Sequence, residues 1–223
     1  MNRHLGPHFQ IPPGSLAVIS MITIGLWVPF YDRVAVPALR RSTKLEGGIT
    51  LLQRIGIGIV FSILSMVVAG LIERMRRDSA LSNPSSDGVA PISVMWLAPQ
   101  LILMGFAEAF NIIGQIEFYN REFPENMTSV ANSLFSCTAA GASYLSSLLV
   151  TIVHGVTGGH GRPDWLTKDI NAGKVDNFYF VIAALGVLNL MYFLVCARRY
   201  NYKTSPQIME EEHRFDGHVD YFF

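Results

Sequence analysis

The sequence predicts an all-α, polytopic membrane protein with five transmembrane helices, and three observations carry that reading. Charged residues make up only 15% of the 223 residues while hydrophobic residues make up 50%, with a mean hydropathy of +0.33. A soluble domain carries roughly a quarter charged residues. The charges are also clustered, because windows 9–31, 55–72, 88–107, 126–153 and 177–197 contain no Asp, Glu, Lys or Arg. Each window holds at least 18 residues, the length at which an apolar run is read as a membrane span. Finally, Leu, Ile, Val, Met and Phe follow one another in these windows without the period-2 alternation of a barrel strand, so the spans are helical. A soluble all-α domain of this size seldom buries five helices on every side.

The spans are expected at about 15–36, 50–72, 93–119, 127–153 and 177–197, within one transmembrane bundle over 1–203. The first follows a basic flank, but Pro12, Pro13 and Gly14 interrupt any signal-peptide core and no small-residue cleavage site follows. The second opens at Arg54, after a loop holding Arg33, Arg40, Arg41 and Lys44. A Ser/Asn/Pro-rich linker beyond Arg74, Arg76 and Arg77 leads to the third. The fourth is rich in small and hydroxylated residues from Ser136 to Ser143, which let helices approach closely. The fifth ends at Arg198, and residues 204–223, with Glu210, Glu211 and Glu212, read as a solvated, disordered tail.

Five spans place the chain ends on opposite sides. With the tail inside, nine basic residues fall on the inner side and seven on the outer, so the positive-inside rule favours a cytoplasmic C-terminus. The balance of 17 Lys+Arg against 17 Asp+Glu carries no footprint of a nucleic-acid binder.

Glu108 is the most informative residue, because a carboxylate inside a membrane helix faces a cavity, a proton path or a cationic partner. At 3.6 residues per turn, Gln100, Glu108, Asn111 and Gln115 fall on nearly one side, forming a polar stripe. Such a stripe binds solute or holds neighbouring helices by hydrogen bonds. Asp32, Arg33 and Arg54 lie at span ends and read as gating or structural charges. Cys137 and Cys196 both sit in apolar spans, so neither a disulfide framework nor a metal site is expected. No histidine spacing suits a metal, and no nucleophile–base set points to an enzyme. Asn126-Met127-Thr128 matches a glycosylation sequon, yet the expected topology leaves it in the cytoplasm.

Three stretches then resemble a known family. They are Tyr31-Asp32-Arg33 with Val36-Pro37-Ala38-Leu39-Arg40, the run Gly48 to Gly58, and Ala107-Glu108-Ala109 with Gly114-Gln115-Ile116-Glu117-Phe118-Tyr119. Together with Asn177-Phe178-Tyr179 they look like the C-terminal half of the plant nitrate/peptide transporters, the proton-dependent oligopeptide transporter group of the major facilitator superfamily. The resemblance covers residues 1 to about 203. It implies a fold of two six-helix halves with substrate held between them near the midplane, this chain supplying the last five helices. Glu108 matches an acidic position of the central site, while Asp32, Arg33 and Arg54 match positions near the cytoplasmic gate, where Asp32 and Arg54 are expected to pair. The family's proton-coupling Glu-x-x-Glu-Arg motif belongs to the first helix, which this sequence does not contain.

The expected function is therefore a proton-coupled symporter of nitrate, peptide or a related small solute, present here as a C-terminal fragment. It needs no cofactor beyond the proton gradient, and its setting is the plasma membrane rather than the vacuolar membrane. The alternative is a non-transporting membrane fragment that binds full-length transporters or other membrane proteins. In either case the partners are the lipid bilayer and the missing N-terminal half or another membrane protein.

Overall fold

The computed structural model describes residues 1, 11–43, 49–82, 92–158, 164–167, 170–171 and 173–200. The expected tail at 204–223 lies outside them. Among the described residues every long element is a helix, and five helical segments are long and apolar enough to cross a membrane: Gly14–Arg41, Leu51–Ser82, Val94–Glu122, Ser129–Thr157 and Val175–Arg199.

The first segment is continuous but not uniform. A 3-10 turn, Pro13–Leu16, leads into α1, Ala17–Phe30; a π-helical turn, Tyr31–Ala35, then joins it to α2, Val36–Thr43. Two prolines, Pro29 and Pro37, flank that turn. Proline has no N–H to donate and its ring crowds the carbonyl four residues back, so the regular ladder cannot run unbroken through either position. The chain responds with a wider turn, in which the Val36 N–H donates to the Tyr31 carbonyl. Tyr31 is buried there, whereas Asp32 and Arg33 stand exposed.

The second segment is α3, Leu51–Ser82. Its start is a reciprocal cap in which the Gln53 N–H donates to Thr50 Oγ1 at 3.2 Å and the Thr50 N–H donates to Gln53 Oε1 at 3.0 Å. At 32 residues α3 is about 48 Å long, well beyond the roughly 30 Å hydrocarbon core. It runs ten residues past the expected end at 72 because charged residues do not stop a helix; they only mark where it leaves lipid. In that extension Arg76 donates to both Glu73 carboxylate oxygens, to Asn171 Oδ1 at 2.8 Å and to the Ile170 carbonyl. Arg77 reaches Asp176 Oδ1 at 3.0 Å. These contacts tie the end of α3 to the segment entering the last helix.

The remaining helices are α4, Ala98–Glu122; α5, Thr128–Thr157; and α6, Val175–Arg199. Ser93 caps the 3-10 turn before α4 by accepting from the Met95 N–H, and Pro124 ends the helix by holding Phe123 in an extended conformation. In the bundle, α3 is central and packs along α4 and α6, while α1 packs on the other side of α4. Close approach rests on small residues. A Cβ on Gly58 would lie 3.0 Å from the Asn111 backbone nitrogen, and one on Gly105 would lie 2.7 Å from Thr23 Cβ and 2.9 Å from the Ser20 carbonyl oxygen. An aromatic cluster of Trp27, Tyr31, Phe61, Phe106 and Phe110 fills the junction of α1, α3 and α4, with Trp27 and Phe106 edge to face at 4.8 Å. Helix α5 stands apart: it touches α4 sparsely, and nothing in its most apolar stretch is buried.

Candidate functional site

The sequence residues singled out above fall into three places. The first is the π-helical turn, where Asp32 and Arg33 make no hydrogen bond or ion pair among the described residues. The expected Asp32–Arg54 pair is not formed. The wider turn directs Tyr31 inward, and it is the tyrosine hydroxyl, at 3.3 Å, that meets the Arg54 guanidinium.

The second place is the charge cluster around Arg54. Its Nη1 donates to Glu117 Oε2 at 2.8 Å, and its guanidinium carbon lies 4.9 Å from the centre of the Tyr31 ring. Glu117 in turn accepts from Arg121 at 3.0 Å through its other oxygen. Gly114 makes this possible. Arg54 side-chain carbons pass 3.6 Å from the place where a Gly114 Cβ would stand, so α4 leaves room for the arginine to run along it. The result ties the end of α1, the start of α3 and the end of α4 at one edge of the bundle. Arg54 is buried and Glu117 half-buried, so the pair is worth more than an exposed one. Sequence reasoning missed Glu117 and Tyr31 as its partners. The signal that could have found Glu117 is the Glu117/Arg121 spacing of four, which places a carboxylate where a neighbouring helix could present a cation.

The third place is α4. Glu108 lies ten residues into α4, about 15 Å from its start and so near the middle of a 30 Å core. It is half-buried and makes no hydrogen bond or ion pair among the described residues. At about 100° per residue, Glu108 is some 60° round the helix from Gly105, which abuts α1, and some 120° from Gly114, which abuts α3. The carboxylate therefore lies nearer the side of α4 that meets α1 than the side that meets α3.

Asn111 and Gln115 are turned towards α3 and α6. They line a cavity of about 580 Å³ together with Ser62 of α3, Tyr119 of α4, and Asn189 and Phe193 of α6. The expected single stripe is thus divided: the two amides share the cavity, and Glu108 is not part of its lining. Asn189 and Ser62 are the polar cavity residues that sequence reasoning missed, because each is isolated in its own apolar run. Among the described residues no group of His, Cys, Asp or Glu could hold a metal ion, and Cys137 and Cys196 are free thiols.

Beyond the membrane, Asp164 accepts from the Leu166 N–H at 3.1 Å and from Thr157 Oγ1 at 2.8 Å, and pairs with His154. The Leu166 N–H first, then the Thr157 hydroxyl and the His154 charge, hold this carboxyl below the usual aspartate range against the opposing effect of burial.

Comparison with known proteins agrees with the helical architecture. A sequence model described as "POT family" matches residues 1–166. The chain is 63% identical to Arabidopsis thaliana "Protein NRT1/ PTR FAMILY 2.13" over 95% of its own length, and 57% identical to "Protein NRT1/ PTR FAMILY 2.12" of the same plant over 93%. It is 41% identical to "Protein NRT1/ PTR FAMILY 8.2", also from Arabidopsis thaliana, over 92%. The chain spans about a third of the length of these relatives, 34%, 35% and 36% respectively. With five membrane-spanning helices and a family match over most of its length, this multi-pass membrane protein belongs to the POT family of transporters.

Proposed function

We propose that the chain forms part of a proton-coupled symporter for nitrate, a peptide or a related small solute. The observation that carries this reading is Glu108, a half-buried carboxylate near the middle of α4 that makes no hydrogen bond or ion pair among the described residues. In lipid such a group costs several kcal/mol, so its place in the structure calls for a wet cavity, a cation or a proton. Carrying a cationic group or a proton there couples solute movement to the proton gradient and to the membrane potential, which contributes about 2.3 kcal/mol per charge per 100 mV. No cofactor is needed. Family membership supports transport as the general activity.

A second reading, a non-transporting membrane fragment that binds other membrane proteins, is favoured by one observation: α5 buries nothing in its most apolar stretch. Uptake separates the two. Oocytes expressing this chain alone, or together with the N-terminal portion of a relative, are given labelled nitrate or labelled dipeptide at pH 5.5. Uptake on co-expression supports the transporter, and Glu108→Gln should lower it about tenfold, the equivalent of ~1.4 kcal/mol. Normal transport by Glu108→Gln from pH 5 to 8 would sink the proposed role. Protease protection of a tag on the C-terminus, with the plasma membrane purified, tests the proposed location and the cytoplasmic tail.

A further inference from the structure

The two ends of the bundle differ in charge. At the end where α2, α4 and α6 stop and α3 begins, seven arginines face three carboxylates among the described residues. At the opposite end three arginines and Lys174 face four carboxylates, and most of these groups are satisfied within the chain: Arg76 by Glu73, Arg77 by Asp176, and Asp164 by His154. At the first end, ion pairing accounts only for Arg54 and Arg121, both on Glu117. Arg33, Arg40, Arg41, Arg198 and Arg199 are exposed and make no hydrogen bond or ion pair among the described residues.

These arginines belong to one rim. Tyr31, whose hydroxyl meets the Arg54 guanidinium, stands two residues before Arg33. Arg54 reaches Glu117, and Glu117 reaches Arg121. Phe118, three residues before Arg121, holds its ring 5.4 Å from that of Tyr200, the neighbour of Arg199. The contacts run without a break from the end of α1 across α3 and α4 to the end of α6.

The level of the rim is that of lipid headgroups. Helix α6 has 25 residues and is about 37 Å long, so its last two residues lie beyond a hydrocarbon core of about 30 Å. Long arginine stems carry their charge outward from the apolar layer. A guanidinium offers parallel N–H groups that match the oxygens of a phosphate. A zwitterionic lipid brings its own cation to such a surface, whereas an anionic lipid balances it, and clusters of four to eight basic residues at span ends attract anionic leaflets.

We propose that this arginine rim binds the headgroups of anionic phospholipids in the leaflet at that end of the bundle. The surface stands independently of transport, because none of the five exposed arginines lines the amide cavity.

Native mass spectrometry of the full 223-residue chain in an uncharged detergent, titrated with phosphatidylserine or with phosphatidylcholine, tests the proposal. Phosphatidylserine should bind at least tenfold more tightly, and the difference should shrink as salt rises from about 50 to about 500 mM. Arg33→Gln, Arg40→Gln, Arg41→Gln, Arg198→Gln and Arg199→Gln combined should bring the two lipids to within about twofold of each other. Should that variant not fold, Arg198→Gln with Arg199→Gln alone should lower the preference at least threefold. Arg74→Gln with Lys174→Gln removes exposed cations from the opposite end and should leave the preference intact. Equal binding of the two lipids by the native chain, a preference that survives loss of the rim arginines, or a preference lost with the opposite-end cations each overturn the proposal. Glu210→Gln, Glu211→Gln and Glu212→Gln together should leave phosphatidylserine binding unchanged. A tenfold rise would show that the chain's own acidic residues hold the rim, and would overturn lipid as its occupant.

Discussion

Replacing Glu117 by glutamine leaves Arg54 buried beside an uncharged partner. Removing one member of a fully buried ion pair costs about 3–5 kcal/mol. Here the Arg54 side chain is 10% exposed and Glu117 34%, so water screens part of the loss. Arg54 also keeps the Tyr31 hydroxyl and ring. The expected cost is about 2 kcal/mol, equivalent to a thermal midpoint lowered by about 4–8 °C for a chain of this size. A double-mutant cycle isolates the pair: Arg54→Gln and Glu117→Gln should couple by about 1.5 kcal/mol. Arg121→Gln should couple to Glu117→Gln by less than about 0.5 kcal/mol, because Arg121 is 66% exposed. Asp32→Asn should show no coupling to Arg54→Gln. Thermal unfolding of the detergent-solubilised chain, followed by the fluorescence of Trp27 in the adjoining aromatic cluster, supplies the midpoints. A coupling for Arg121 equal to that for Arg54, or a measurable Asp32–Arg54 coupling, would refute the assignment of Glu117 as the partner that matters.

Other outcomes follow from the same packing. Gly105→Ala must move α1 away from α4, because its Cβ would lie 2.9 Å from the Ser20 carbonyl oxygen; a loss of about 1–3 kcal/mol is expected in the same melt. Gly141→Ala, with nothing within 4 Å, should leave the midpoint unchanged or slightly raised, and equal effects at the two glycines would contradict the α1–α4 packing. At Asp164 the folded carboxyl titrates below its unfolded value, so its stabilising contribution is complete above about pH 4 and is lost as pH falls through the lower folded value. With Trp27 and Trp96 replaced by phenylalanine, Trp165 fluorescence should hold steady from pH 8 to 5 and change only in stronger acid. A transition above pH 5, or one that persists in Asp164→Asn, would show that another group controls the segment.

The spans could be read without a structure because lipid excludes charge so strongly that its absence over 18 residues is itself a signal. Their ends could not. Helix α3 continues past Ile72 for ten residues because Glu73 and Arg76 satisfy one another and Arg77 finds Asp176, and nothing local in the run announces that partner. The π-helical turn had local causes in Pro29 and Pro37, but its consequence did not: it buries Tyr31 and leaves Asp32 exposed. The expected Asp32–Arg54 pair came from reading neighbouring charges as partners. The true partner, Glu117, is 63 residues from Arg54 in sequence.

By itself, the sequence determined the class of molecule: a five-span helical membrane protein with one carboxylate, Glu108, inside an apolar helix. Those are properties of composition and period, which every window of chain expresses locally, whereas the family resemblance rested on particular motif residues. Only the tertiary structure decided how the polar residues divide. Asn111, Gln115 and Glu108 share one helix and one nominal stripe, yet the amides line the cavity against α3 and α6 and the carboxylate does not. The reason is that residues of one stripe lie at different depths: Glu108 and Gln115 are only about 20° apart round the helix but about 10 Å apart along it, and which surface each meets depends on where the next helix packs.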